Sequence, residues 1–594
     1  MRFPSIAALA ARAREVLLRF PWVLAAGVVA AFAAINAVNG PNMDYWARLS
    51  MVAALGLPLL TALTLFAEQR GWTGVGRTAL LAGAVLLLAG FYQVWPGPEE
   101  DYQAIRYVQL SAALHLLVAF LPFLGRFQRD VFWQYNRRLF EAILKAVLFS
   151  GVLFLGLVIA LAALDKLFGV DVPGETYARL WFVMAFVANT WIFLGGVPDN
   201  LPALANDTDY PKGLKVLSQY ILTPLVTIYL VLLTAYILKI LVTGDWPSGW
   251  IGYLVASVAV VGLLAFLLVA PLRDREGEGW IRTFSRWLFI GLMPAAVMFL
   301  LALWKRIDPY GLTELRVLGF LMGLWLLGIA LCFTIRRNTG IHIIPISLAV
   351  LLLATLYGPT SATSLSVGSQ GRRIRALLAQ PAEGGEISTS AQVEVSSAVQ
   401  FLLRHNAGSA LQRAVGGKVP GLADLPPVTN MNRDSIAAAI LDSLNLEYTP
   451  PYPNQQAGYF SYSSGESPPL EIRDYDYTFP LTPRDSAPVV LDGDSLTVRL
   501  DSAAAMVRIL RHGEPVLAFD LSTVVDSLKR PDNPGKATAR RMRATAEENG
   551  MRGMLQISYM NGRRTNTGVK ISDVSGQVFL GYTTPRPVTA PGTP

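Results

Sequence analysis

The sequence predicts a mainly α-helical membrane protein: a transmembrane bundle of about eleven helices followed by an exported α+β domain. Three observations predict it. Of 594 residues, 53% are hydrophobic and only 15% charged, with a mean hydropathy of +0.41, a balance foreign to water-soluble chains. Apolar runs long enough to cross a hydrocarbon layer, about 20 helical residues, recur to residue 357 and then stop. Beyond them more than two hundred residues of mixed polarity follow. The runs are continuous rather than alternating, so they read as helices and not as barrel strands, the two structures whose backbone needs no partner from lipid.

Residues 1–20, MRFPSIAALAARAREVLLRF, mix Arg with Leu, Val and Phe in the manner of an amphipathic helix on the cytoplasmic membrane surface. Residues 21–358 hold the spans: Pro21 to Val38, Leu49 to Ala67, Thr78 to Trp95, Tyr107 to Leu124, Leu139 to Leu164, Ala178 to Gly196, Leu214 to Val242, Trp250 to Leu272, Trp287 to Trp304, Leu315 to Thr334 and Ile341 to Tyr357. The first is longer than a signal-peptide core and ten more follow, so it reads as an uncleaved helix. Glu141 and Lys145 in the fifth are four residues apart, on one helix face, and are expected to pair at headgroup level. Pro58, Pro122, Pro224 and Pro294 are expected kink points.

Orientation follows from Lys and Arg, which cytoplasmic loops retain. With the N-terminus inside, inner segments hold 18 of them and outer segments 8. That bias, with an odd number of crossings, places everything after Tyr357 outside the cytoplasm.

In the exported part, residues 370–450 read as mainly helical, with apolar residues at helical spacing over Ala391 to His405 and Asn432 to Leu446. Residues 451–583 read as α+β. The period approaches two from Ala487 onward, with a turn at Asp492–Gly493, a hairpin through His512–Gly513 and a strand at LQISY. STVVDSLKR and KATARRMRATAEENG read as intervening helices. The Pro/Thr-rich tail, 584–594, is expected to be disordered. The single cysteine, Cys332, lies in the tenth run, so the exported part is held by packing and not by disulfides.

Chemistry is sparse. His115, His342, His405 and His512 show no metal-ligand spacing, and nucleotide loops and nucleophile elbows are missing, so we assign neither metal nor cofactor. No basic run interleaved with aromatics suggests nucleic acid. Asp207-Thr208-Asp209 resembles a cation-holding carboxylate pair, but among Pro198, Pro202 and Pro211 it reads as a solvated acidic loop. His115 falls near the middle of the fourth span and is expected to turn inward, sharing a polar interior with Asn189 and Tyr236. Hydrogen bonds between helices are the expected role of such residues.

Five ionisable side chains in RIDPYGLTELR, Arg306 to Arg316, interrupt the apolar pattern. Asp308–Pro309 and Gly311 are expected to make the reversal, with Thr313 capping the next helix and Glu314 near its positive end. Arg306, Tyr310, Glu314 and Arg316 then form a candidate outer-face polar site, for an anionic lipid headgroup or for docking the exported part.

RIDPYGLTELR, together with FWQYNRRLF (Phe132 to Phe140), YPKGLKVLSQYILTPLVTIYLVLLTAYILKIL (Tyr210 to Leu241) and GPTSATSLSVGSQ (Gly358 to Gln370), resembles the bacterial membrane family catalogued as domain of unknown function 4153. The resemblance implies a bacterial cell-membrane protein with many helices and no assigned catalytic residues. No convergent set of carboxylates or nucleophiles supports an enzyme. The expected role is therefore a non-catalytic envelope scaffold or sensor, in contact with membrane lipids and an envelope protein. A transporter or lipid-handling protein is the alternative, and a membrane-embedded transferase the second.

Overall fold

The computed structural model describes residues 6–40, 42–98, 100–207, 209–244, 250–273, 277–336, 339–379, 388–417, 419–425, 428, 433–446, 448, 459–463, 470, 472–481, 489–491, 494–528, 542–565 and 568–583. The chain forms two compact units, Met1–Tyr448 and Thr449–Pro594.

The first unit opens with α1 (Ile6–Arg19) and α2 (Pro21–Ala37), bent 96° to each other. Proline at the first position of α2 needs no N–H there, so the break between them is cheap. Arg19 fixes the corner: its Nη2 donates to Glu68 Oε2 (2.9 Å) and to the carbonyl of Pro198 (2.7 Å). Then follow α3 (Met43–Gln69), α4 (Gly74–Val94), α5 (Asp101–Phe120) and the 40-residue α6 (Arg129–Phe168). The sixth run forms α7 (Gly174–Val183), a π-helical turn over Met184–Ala188, and α8 (Asn189–Leu194). The seventh forms α9 (Lys212–Lys215), a second π segment over Val216–Leu222, and α10 (Thr223–Thr243). The remaining helices of the bundle are α11 (Trp250–Val269), α12 (Gly279–Tyr310), α13 (Glu314–Ile335) and α14 (Ile343–Ala354).

Along α6, Val147, Leu148, Val152, Leu155 and Ile159 are each at least 60% exposed. So continuous an apolar surface belongs against lipid and not against water. The protein is thus a multi-pass membrane protein. Among the described residues, nine helices are long and apolar enough to cross a membrane, or up to ten if the bent α1–α2 pair is one span. The eleventh expected crossing, Ile341 to Tyr357, is the short one. α14 has only twelve residues, about 18 Å at 1.5 Å per residue against about 30 Å of hydrocarbon. It runs antiparallel beside α5: His342 stacks on Phe127, beyond the C-terminal end of α5, at 4.4 Å, while Gln109 at the middle of α5 donates to Leu352 O and Thr355 Oγ1, each at 2.7 Å. Turns on either side of α14 complete the path.

Polar contacts sort the connections onto two faces. One joins Arg19, Glu68, Arg77 and the chain after α8. The other joins Asn39 to Glu175, Arg48 to the carbonyl of Tyr92, and Asp101 to Arg404. On this second face sits a helical module: α15 (Ala362–Leu378), α16 (Thr389–Arg404), α17 (Gly408–Ala414) and α18 (Arg433–Asp442). GPTSATSLSVGSQ, which marks a change of composition, is in fact mostly the first half of α15, with Ser361 as a cap accepting from Ser364 N. The module has its own core around Ile374, Val395, Leu402 and Leu441.

The second unit is antiparallel. Strands β1 (Tyr459–Ser463), β2 (Tyr477–Leu481), β7 (Arg543–Glu548), β8 (Met551–Thr565) and β9 (Gly568–Tyr582) form one sheet in the order β1-β8-β9-β2. β7 pairs with β8 over Met551–Gln556, where β1 does not reach. Strands β3 (Val489–Leu491), β4 (Asp494–Asp501), β5 (Met506–Arg511) and β6 (Glu514–Asp520) form a second sheet in sequence order. The hairpin through His512–Gly513 and the helix in STVVDSLKR (α19, Leu521–Ser527) are present. KATARRMRATAEENG is corrected: its described part contains β7, because pairing with β8 and burial of Met542 and Ala544 outweigh the helix preference of Ala, Arg and Glu. The Asp492–Gly493 turn and the tail 584–594 lie outside the described residues.

Candidate functional site

The RIDPYGLTELR segment is a socket. α12 runs through Asp308–Pro309 to Tyr310, one turn further than expected, and the reversal falls at Gly311, whose φ of +69° suits glycine. Thr313 takes the N-cap position of α13 without a side-chain capping bond. The exposed carbonyls are claimed by the helical module instead. Gln370 Nε2 donates to Leu312 O (2.9 Å) and Tyr310 O (3.2 Å), Arg373 Nη1 to Tyr310 O (2.9 Å), and Leu312 N donates to Ser369 Oγ (3.1 Å). From the other side, Arg316 Nη1 donates to Gly311 O at 2.7 Å, with its guanidinium 5.7 Å from the Tyr310 ring.

Glu314, the first residue of α13, is buried, and its carboxylate meets His405 Nε2 at 2.7 Å. His405 Nδ1 lies 2.7 Å from the carbonyl of Phe401, which can only accept, so Nδ1 carries a hydrogen. One further proton therefore lies between Nε2 and the carboxylate. The ring is held between Tyr102 and Phe401, centroids 4.4 and 4.1 Å away. Glu100 pairs with Arg433 beside it, and Asp101 with Arg404 at 3.6 Å. Of the sequence candidates, Tyr310, Glu314 and Arg316 meet in this socket, while Arg306 is exposed one turn earlier. His405, Gln370 and Arg373 escape a local reading because they lie 54 to 91 residues from Arg316 or Glu314 and only the fold unites them.

The intramembrane trio does not assemble. His115 is exposed on the outside of the bundle, its Nδ1 2.8 Å from Ser111 O in its own helix, so the inward orientation is corrected. Asn189, just after the π turn, meets Ser150 of α6 at 3.3 Å. Tyr236 is half-buried against the apolar core. Among the described residues no hydrogen bond joins any two of the three.

A second polar cluster sits on the opposite face, at the FWQYNRRLF run of α6. Arg137 is 6% exposed and fully committed: Nε to Gln134 Oε1 (2.7 Å), Nη1 to Glu141 Oε1 (3.0 Å) and Nη2 to Asp207 Oδ2 (2.9 Å). Arg138 reaches the same Asp207 oxygen at 2.9 Å, and Lys145 approaches Glu141 at 3.6 Å. Asp207 is therefore an anchored carboxylate and not a solvated one. Burial pushes its pKa up, but the Arg138 hydrogen bond, the Asp209 N–H and the charges of both arginines outweigh that and hold it below the ordinary carboxylate value. Among the described residues no group of three or more His, Cys, Asp or Glu could hold a metal ion.

These side chains line a polar cleft of about 380 Å³. Arg137 also borders an apolar cavity of about 600 Å³ between α5, α6, α11, α13 and α14, which includes Phe132, Trp133, Leu264, Met322 and Leu348. His115 lines neither.

The uncharacterized protein PM1469 of Pasteurella multocida (strain Pm70) is 24% identical over 270 residues, 45% of this chain. The chain spans 44% of the length of that relative. No solved structure matches. The family model described as Domain of unknown function (DUF4153) matches residues 21–370, from the first span into α15, and the chain belongs to that family.

Proposed function

We propose that the protein is a non-catalytic envelope platform or sensor in a bacterial inner membrane, with the N-terminus in the cytoplasm and the helical module and β-rich unit on the outer side. The observation that carries this reading is the socket: a conspicuous polar interruption of the apolar sequence is used to fasten a folded module to the bundle, with buried Glu314 and His405 at its centre. The distribution of Lys and Arg supports the orientation. A transport path has less support, since His115 faces outward and the polar side chains proposed for a path do not converge.

Cysteine accessibility tests the placement. In a Cys332→Ser background, Glu514→Cys is expected to react with a membrane-impermeant maleimide in spheroplasts, and Lys212→Cys only after lysis. The reverse pattern would overturn the orientation and with it the envelope role.

A further inference from the structure

The two cavities beside α6 point to a ligand of their own. The apolar one is large enough for a sizeable organic ligand, for which pockets of roughly 300–1,000 Å³ are usual. Its polar edge is already spent: Trp133 Nε1 donates to Leu267 O (2.8 Å), and Asn136 Nδ2 to Phe132 O (2.9 Å) and Ala119 O (3.1 Å). Hydrocarbon, and not a sugar or a hydrated solute, fits such walls. The polar cleft has the opposite character. Arg137, Arg138 and Lys145 balance Glu141, Asp207 and Asp209 along its lining. Arg138 and Lys145, 43% and 61% exposed, present the accessible positive charge. Asp209 presents exposed negative charge on the facing loop. Cleft and cavity occupy neighbouring faces of α6 that meet at Arg137.

We propose that this junction is a binding site for a zwitterionic phospholipid bearing a primary ammonium, its phosphate over Arg138 and Lys145, its ammonium toward Asp209, and one acyl chain in the apolar cavity. Charge balance selects the headgroup. An anionic headgroup without an ammonium would gain the two cations but leave Asp209 unanswered and face the Asp207 and Glu141 carboxylates beneath. The site is remote from the socket and independent of the platform reading.

The test uses the purified full-length chain, stripped of lipid and offered equimolar phosphatidylethanolamine and phosphatidylglycerol, with retained lipid counted by native mass spectrometry. Phosphatidylethanolamine should be retained preferentially. Arg138→Ala with Lys145→Ala should lose that retention, and Asp209→Asn should shift the preference toward phosphatidylglycerol. Equal retention of both lipids, or preference for phosphatidylglycerol by the unaltered chain, would overturn the proposal. A second measurement needs no variant: phosphatidylethanolamine with a diazirine in its acyl chain should cross-link to the peptides holding Phe132–Phe140 and Gly319–Leu326. Labelling confined to the exposed stretch from Val147 to Ile159 would overturn occupancy of the cavity.

Discussion

Replacing His405 by Phe should loosen the helical module more than any other single change at the socket. Phenylalanine keeps a ring between Tyr102 and Phe401, so little packing is lost. What is lost is the 2.7 Å partner of a carboxylate on a residue that is 6% exposed. Breaking a buried charged pair from one side costs about 3–5 kcal/mol. Losing a hydrogen bond to a charged group without stranding the charge costs about 1.5–3 kcal/mol. Glu314→Ala belongs to the second class, since it removes the carboxylate and leaves a ring nitrogen unpaired. Glu314→Gln can donate its side-chain N–H to Nε2 of a neutral ring whose hydrogen stays on Nδ1, and should cost under about 1.5 kcal/mol, the range of an ordinary hydrogen bond. The double change Glu314→Leu with His405→Phe strands neither partner and should recover most of the loss. At about 1.4 kcal/mol per factor of ten, hydrogen exchange of the α16 amides should rise more than a hundredfold in His405→Phe, roughly tenfold to a hundredfold in Glu314→Ala, and far less in the other two. Mass spectrometry of the full chain in nanodiscs reads this directly. If His405→Phe exchanged like the unaltered protein, or the double variant like His405→Phe, the socket would not be held by this pair.

Three further changes probe other joints. Because the Asp207 pKa is lowered in the folded protein, its ion pairs stabilise the loop before α9 fully above the ordinary carboxylate pKa of about 3.9 and fade as pH falls through the lower folded value. Asp207→Asn should be looser at neutral pH and lack that acid transition, measured as loop amide exchange corrected for intrinsic rate. In the β-rich unit, a Cβ at Gly576 would collide with the carbonyl oxygen of Gln556 on β8, a backbone atom that cannot step aside. Gly576→Ala should therefore part β8 from β9 and lower the protease resistance of that unit in the full chain. At Gly196 a Cβ would meet the Ala142 Cβ at 2.6 Å; overpacking of this kind costs typically about 1–3 kcal/mol, so Gly196→Ala should lower the melting temperature in detergent, with Ala142→Gly restoring it.

The apolar spans were legible because lipid imposes one rule on every helix, and the windows from Leu49 to Thr334 each became a helix or a π-interrupted rod. Where the rule stops, so does legibility. α6 begins ten residues before its apolar run because Trp133, Tyr135 and Asn136 bond to carbonyls of α5 and α11, partners that no local pattern announces. α14 forms only twelve residues of helix where the run suggested a full span, and its last turn is tied to Gln109 of α5, a partner distant in sequence. β7 was misread because its composition favours helix while its neighbour offers a free edge. The socket shows both sides at once. Charges placed where the apolar pattern forbids them exposed Glu314 and Arg316 as residues with a partner, yet the partner's identity depends on α16 returning to α13, a contact 91 residues long in sequence. Ionisable residues in a membrane sequence thus mark where tertiary contacts must exist before they reveal with what, and Arg137, whose three donor nitrogens reach Gln134, Glu141 and Asp207 in two separate elements, obeys the same logic on the other face.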